Sequence, residues 1–343
     1  MKKSRYMKRR GAALLLLLYL VVTTIPATAL AAGELPDYTG EWTNFRNSDA
    51  NMAIVSSPIP VEENSATLKW GVKYGAGWSS APTPPLIVNG DLYIVVKDQV
   101  LKLDKETGEA LLTSEKLAGG AGFALNPMTY AQGMLFVQIG NGRVQALRAD
   151  TLESLWISEA LGGQTLSPII YKDGYIYTGS WMGEELEGVY FCLSVEDEDP
   201  ESTDEEKKAT WILTHRGGFY WAGAYVTDNY IVFGSDDGTK EMDSKTAVLY
   251  SCNPVTGEVI DTVKEINGDI RSSIAYDETT KRLYFTTKAG WLYSIKIDEN
   301  GVFDESSLQM LNNGGMSTGT PVVYNGSSGT LSSSPDETLI SRQ

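Results

Sequence analysis

From about residue 66 the chain repeats itself every ~40–55 residues, and a period of that length restricts the fold more than any other feature of the sequence. One unit reads Pro85-Leu-Ile-Val-Asn-Gly-Asp-Leu-Tyr-Ile-Val, then Val100-Leu-Lys-Leu-Asp-Lys-Glu-Thr-Gly-Glu. A second starts at Pro127-Met-Thr-Tyr-Ala-Gln-Gly and closes on Trp156, and a third starts at Pro168-Ile-Ile-Tyr-Lys-Asp-Gly and ends near Trp211. A fourth runs from Gly223-Ala-Tyr-Val-Thr-Asp-Asn through Asn253-Pro-Val-Thr-Gly, and a fifth from Ser273-Ile-Ala-Tyr-Asp through Trp291-Leu-Tyr-Ser-Ile. A sixth begins at Pro321-Val-Val-Tyr-Asn-Gly and supplies one strand before the pattern stops.

Each unit contains the same parts. A short apolar strand meets a two-residue turn (Asn89-Gly90, Asp173-Gly174, Asp228-Asn229) of the kind that tolerates positive φ. A β-branched and aromatic strand follows, then glycine and a third strand. Next comes an Asp/Asn-x-x-Thr-Gly turn (Asp104 to Gly108, Asn253 to Gly257) and a fourth strand. Helical periodicity is weak. The reading is all-β: a β-propeller of four-stranded antiparallel blades, five of them complete and others partial.

In that fold strand A lines the channel and strand D is outermost. The D–A and B–C connections share one face, and the A–B and C–D connections share the other. Residues 181–188 and 235–246, both between strands B and C of neighbouring blades, are therefore expected to meet. The insertion at 196–208 is expected on the opposite face. Residues 66–74 read as a strand D with no A–C before it. The ring then looks unclosed, which suggests a piece of a propeller of about seven or eight blades. Open strand edges invite aggregation or a partner.

The units resemble the pyrroloquinoline-quinone-like propeller repeat, which reads Pro-x-x-x-x-Gly-x-x-Tyr and then Ala-Leu-Asp-x-x-Thr-Gly-x-x-x-Trp. Trp42-Thr-Asn-Phe45-Arg46 is similar to the lead-in common before such propellers. Leu112 and Thr262 stand near where a closing Trp is expected, and the fifth unit has Lys296-Ile-Asp-Glu-Asn-Gly in place of Asp-x-x-Thr-Gly. The resemblance implies the fold. It leaves function between quinone dehydrogenases and non-catalytic binding propellers. The dehydrogenases place an adjacent Cys-Cys pair over the quinone, and no such pair occurs here. The expectation is a chain without bound pyrroloquinoline quinone, and without catalytic residues.

Before the repeats stands a leader. Met1–Arg10 carries six basic residues and no acid, Gly11–Ile25 is almost wholly apolar, and Ala29-Leu30-Ala31 offers small residues for cleavage. Residues 1–31 read as a secretory signal peptide, 32–65 as a lead-in, 66–325 as the propeller and 326–343 as a Ser-rich tail with no second strand pair. The net charge of −16 becomes −22 once the leader is discounted, with 22 Lys+Arg facing 44 acids. So acidic a chain is a poor nucleic-acid binder. Nothing after the leader is long and apolar enough to span a bilayer. A secreted or cell-surface location follows.

Few residues remain for chemistry. His215, the single histidine, has no triad or metal motif around it and reads as structural. Cys192 and Cys252 fall on third strands of adjacent blades, one position out of register, and read as separate buried hydrophobes facing opposite sides. The acidic run Glu196–Glu206 lacks a turn glycine and reads as a solvated loop rather than a calcium site. Ser235-Asp236-Asp237-Gly238 is a weak calcium candidate through Asp236 and Asp237. The glycine-rich D–A connections carry Trp78, Phe123, Tyr220 and Trp221. Together with Trp181 and Arg271 they are expected to ring one mouth of the channel, where aromatic rings stack on sugar or peptide and Arg takes a carboxylate. The function expected is a secreted, non-catalytic propeller that binds a protein or carbohydrate at the cell surface. The alternatives are a degenerate quinone-dependent dehydrogenase and a structural repeat region of a larger surface protein.

Overall fold

The computed structural model describes residues 34–54, 60, 62, 65–75, 77, 80–119, 127–203, 205–241, 243–324 and 327–329. The chain divides into two compact units, Met1–Glu34 and Leu35–Gln343, and the strands all lie in the second. The leader expected at 1–31 lies outside the described residues, as do Trp78, Phe123 and most of the Ser-rich tail.

The first blade contains β1 (Gly40–Trp42), β2 (Leu86–Val88), β3 (Asp91–Val96), β4 (Gln99–Asp104) and β5 (Ala110–Thr113). The second contains β6 (Thr129–Ala131), β7 (Met134–Ile139), β8 (Arg143–Arg148) and β9 (Ser154–Ser158). The third is built from β10 (Ile170–Lys172), β11 (Tyr175–Gly179), β12 (Glu187–Ser194) and, after the short β13 (Glu205–Lys207), β14 (Trp211–Arg216). The fourth is β15 (Tyr225–Val226), β16 (Ile231–Gly234), β17 (Ala247–Cys252) and β18 (Val259–Ile266). The fifth is β19 (Ala275–Asp277), β20 (Arg282–Thr286), β21 (Trp291–Ile297) and β22 (Phe303–Asn312). Blade strands pair antiparallel with their neighbours in sequence order. The one helical segment among the described residues is a 3-10 turn at Phe45–Asn47.

β23 (Val322–Tyr324) and β24 (Ser327–Gly329) form a sixth, two-stranded unit. The sequence reading gave this unit one strand, because the Ser-rich segment is apolar-poor. Backbone pairing with β23 needs no apolar side chains. Among the described residues the propeller is unclosed.

The blades stack face to face, so the core is divided into seams rather than gathered at one centre. Leu86, Val95, Leu135 and Val137 fill the seam between blades one and two. Phe136, Trp156, Ile176 and Phe191 fill the next, Tyr177, Tyr190, Phe233 and Cys252 the third, and Leu249, Ile266, Phe285 and Ile295 the fourth. A strand buried on both faces needs apolar residues at consecutive positions, as in β16, Ile-Val-Phe-Gly, which is buried throughout. Outer strands are the wettest: all four residues of β5 are exposed.

Local turns follow the sequence. Asn89 and Gly90 have φ of 51° and 79°, and Asp173 and Gly174 of 46° and 86°, as a tight hairpin requires. Asp228 and Asn229 are not among the left-handed residues. Their loop is instead tied by Thr227, whose N–H and hydroxyl both donate to the Tyr230 carbonyl.

Residues 65–75 form no strand, contrary to expectation. They dock on blade one by side chains: Trp70 Nε1 donates to Lys105 O at 2.9 Å, and Tyr74 hydroxyl to Gly108 O at 2.7 Å. Trp211 does the same at the next-blade turn, donating to Pro254 O at 2.8 Å. Gly108 and Gly257 lie beneath these two indoles with φ of 75° and 73°. A Cβ there would come within 2.5 Å of Trp70 Cε3 and 2.6 Å of Trp211 Cδ2. That contact is the physical reason for glycine after threonine in these turns.

The acidic insertion is also more ordered than expected. β13 pairs parallel with β9 of the preceding blade. Lys207 is only 2 % exposed and bridges Glu198 (2.9 Å) and Glu205 (3.0 Å). Most of the run is exposed, as expected of a solvated loop; what the count of acids left out is the buried lysine that ties down its end.

Cys192 and Cys252 are both buried and free, and both enter the seam between blades three and four rather than facing opposite sides. Burial pushes both thiols up to about 12.

Candidate functional site

The mouth on the D–A and B–C face gathers most of the residues singled out in the sequence. Trp181 follows β11 and is held by a two-way backbone bridge to Gln164: Gln164 N–H donates to Trp181 O (2.8 Å) and Trp181 N–H to Gln164 O (2.9 Å). Tyr220 and Trp221 lie between β14 and β15, with Trp221 in the left-handed region at φ 61°. The Trp181 and Tyr220 rings stack at 4.7 Å, and the Tyr220 and Trp221 rings at 4.6 Å. Three half-buried rings thus form one continuous stack. Met182 and Leu186, on the same B–C loop as Trp181, are 48 % and 55 % exposed.

Arg271 underlies the stack, its guanidinium 4.9 Å from the centre of the Tyr220 ring. It is 6 % exposed. Its Nη2 lies 2.6 Å from Asp236 Oδ2, 2.7 Å from Glu184 Oε2 and 2.9 Å from Asp269 Oδ2. The carboxylates expected of a ligand are therefore the chain's own. Lys288 adds weaker bridges to Asp269 (3.3 Å) and Glu184 (3.5 Å). Asp237 N–H donates to Asp269 Oδ1 at 2.9 Å, which fixes that carboxylate from the other side.

The electrostatics follow from burial. Asp236 is fully buried, and desolvation pushes its carboxyl up while Arg271 draws it back. Burial alone lowers the Arg271 guanidinium, but Asp236, Asp269 and Glu184 more than offset this, so its net shift is upward. Asp237 is also raised, chiefly by burial.

Of the sequence candidates, Trp181, Tyr220, Trp221, Arg271, Asp236 and Asp237 come together here, while Trp78 and Phe123 lie outside the described residues. Sequence reasoning missed Glu184, Asp269 and Lys288. The signal was present: connections that share a face should bring acids at 181–188 and beside Arg271 within reach of its charge. The two insertions do meet, through Lys240 and Glu185 at 2.7 Å.

A family model described as outer membrane protein assembly factor BamB matches residues 59–184. No curated protein sequence matches the chain. Among solved structures it is similar to quinohemoprotein alcohol dehydrogenases from Pseudomonas putida and Comamonas testosteroni. Each is 16 % identical, with TM-scores of 0.54 and 0.56; 79 % of this chain is covered, against 48 % and 49 % of theirs. A europium-containing methanol dehydrogenase matches at 12 % identity and TM-score 0.54, over 79 % of this chain and 58 % of its own. The chain spans about half the length of these two alcohol dehydrogenases. At these identities the likeness is one of fold: the molecule is a β-propeller. Over residues 59–184 its repeats are similar to the pyrroloquinoline-quinone-like kind.

Such neighbours raise the question of a quinone and a metal. The chain offers no adjacent cysteine pair, and its two thiols sit inside a seam between blades. The one group of three acids gathered closely enough for a metal among the described residues is Glu184, Asp236 and Asp269. Their converging oxygens already hold Arg271 Nη2. The residues present do not fit the pair of groups.

Proposed function

We propose that this chain is a non-catalytic, extracytoplasmic propeller that binds a protein partner at the mouth formed by Trp181, Tyr220 and Trp221, and works without quinone or calcium. The observation that carries the reading is the continuous three-ring stack beside exposed Met182 and Leu186. Trp and Tyr are enriched among the residues that dominate binding energy at protein interfaces, and Met is enriched in interfaces generally. The family model described as a protein assembly factor supports the same class of partner. The basic-then-apolar leader supports export. Among the described residues no helix is long and apolar enough to cross a membrane. A glycan is the second reading, favoured by the stacked rings alone.

The test is a photo-cross-linker at Met182 in the full chain, displayed on or exported from intact cells. A discrete protein adduct is expected there, with none from the same probe at Leu111 on the outer edge of blade one. Trp181→Ala and Tyr220→Ala should each weaken capture by about 30-fold or more, the loss typical of an interface hot spot. Equal adducts at both positions, or capture indifferent to both substitutions, overturns the reading. Dye reduction after addition of pyrroloquinoline quinone and calcium would instead make the chain a dehydrogenase.

A further inference from the structure

We propose that Arg271 is a built-in cation, filling with its guanidinium the place a divalent metal would take and tying together the mouth loops of three blades. Glu184 comes from the B–C loop of blade three, Asp236 from that of blade four, and Asp269 from the connection into blade five. One carboxylate oxygen from each of the three lies within 4.8 Å of the other two. Two oxygens bound to one calcium at ~2.4 Å can be at most ~4.8 Å apart, so the set has the spacing of a single coordination sphere. What sits at its focus is a nitrogen that donates to Asp236 Oδ2 at 2.6 Å and to Glu184 Oε2 at 2.7 Å, and that makes an ion pair with Asp269 Oδ2 at 2.9 Å.

The second oxygen of Asp236, Oδ1, is buried and has no hydrogen-bond partner among the described residues. A guanidinium fork gripping Oδ2 through Nε (3.1 Å) and Nη2 (2.6 Å) leaves that oxygen unused. A metal that binds carboxylates in bidentate fashion has a use for it. Arg271 also closes the device against the aromatic stack, since it lies under Tyr220. It is thus a positioning residue for the mouth. This inference rests on the geometry of the triad and not on what the mouth binds.

The wild-type chain is then indifferent to calcium. In Arg271→Ala, Lys288 still pairs with Glu184 and Asp269 but not with Asp236, and an excess of negative charge remains beside a cavity of guanidinium size. That variant should acquire a calcium site. Calorimetric titration of the full chain with calcium chloride should give no stoichiometric binding for wild type. For Arg271→Ala it should give one site with a Kd of about 10⁻⁴–10⁻³ M, the range of modest extracellular sites. Calcium should raise the melting temperature of the variant by a few degrees and leave wild type unmoved. Terbium should luminesce through Tyr220 in the variant alone. Asp269→Asn added to Arg271→Ala should abolish all three responses, and Arg271→Lys should keep the wild-type indifference. The proposal is overturned if wild type itself binds calcium at one site. It also fails if calcium neither restores the fold of Arg271→Ala nor raises its melting temperature.

Discussion

At the scale of single residues, the blades are locked by indoles. Trp70, Trp156 and Trp211 each donate Nε1 to a carbonyl just past the third strand of the following blade: Lys105, Val195 and Pro254. Trp211 is 8 % exposed and also packs on Tyr177 and Tyr190. Trp211→Ala removes both the packing and the bond and should cost about 3–5 kcal/mol in a denaturant melt. Trp211→Phe keeps most of the contact area and should cost less. His215 gives a pH dependence of known sign. Its Nδ1 lies 2.8 Å from the Tyr250 hydroxyl, and burial holds the imidazole below its ordinary value of 6.5. The native state therefore stays neutral where the unfolded chain has begun to take up a proton. Stability from this group is complete above the ordinary value and is lost as pH falls through the folded one. Melting temperatures compared between about pH 7.5 and 5.5 should fall more for wild type than for His215→Gln. Parallel curves would show that the histidine carries none of the acid sensitivity.

At the scale of elements, the insertion between β12 and β14 adds a fifth strand to its neighbour's sheet. β13 would otherwise be a short acidic strand with little reason to order. It stays because Lys207 lies over the Trp156 ring at 5.9 Å and bridges Glu198 and Glu205. Lys207→Ala leaves Glu205 beside Asp197, whose carboxyl is already raised by burial and by Glu205 itself. We expect a loss of about 1–3 kcal/mol and faster amide exchange in β9 and β13. Unchanged exchange at Ser154–Ser158 would mean that the parallel pairing contributes nothing.

At the scale of the propeller unit, the lead-in ties itself to blades one, two, four and five and to the sixth unit, up to 275 residues away in sequence. Asn89 N–H donates to Thr39 O in blade one and Tyr130 N–H to Thr43 O in blade two, at 2.7 and 2.8 Å. Arg46, held at φ 57°, donates to Thr320 O and Pro321 O at the start of the sixth unit, at 2.7 and 2.8 Å. Asn51 Nδ2 donates to Ala224 O and Ile274 O, at 2.8 and 2.9 Å, and so joins blades four and five. Asn51→Ala leaves two buried carbonyls without these donors and should cost about 1–3 kcal/mol. Hydrogen exchange should rise at the first strands of both blades together. A rise confined to one blade would contradict the bridging role.

The legibility of the chain follows from distance. Blade strands, the Asn-Gly and Asp-Gly hairpins and the Thr-Gly turns were readable because each is a local matter of apolar runs and backbone freedom. The mouth face was readable because a repeat fixes which connections lie together. What no local pattern contained was the order of the acidic insertion, which depends on Trp156 of the preceding blade, or the seam that takes in both cysteines. The sequence by itself determined a propeller of antiparallel blades and an aromatic mouth. The tertiary structure alone decided what Arg271 faces. Glu184 and Asp236 stand 87 and 35 residues before it and converge on one nitrogen because three blades are set side by side. Once they are, these carboxylates are the partners without which the buried guanidinium would be an uncompensated charge.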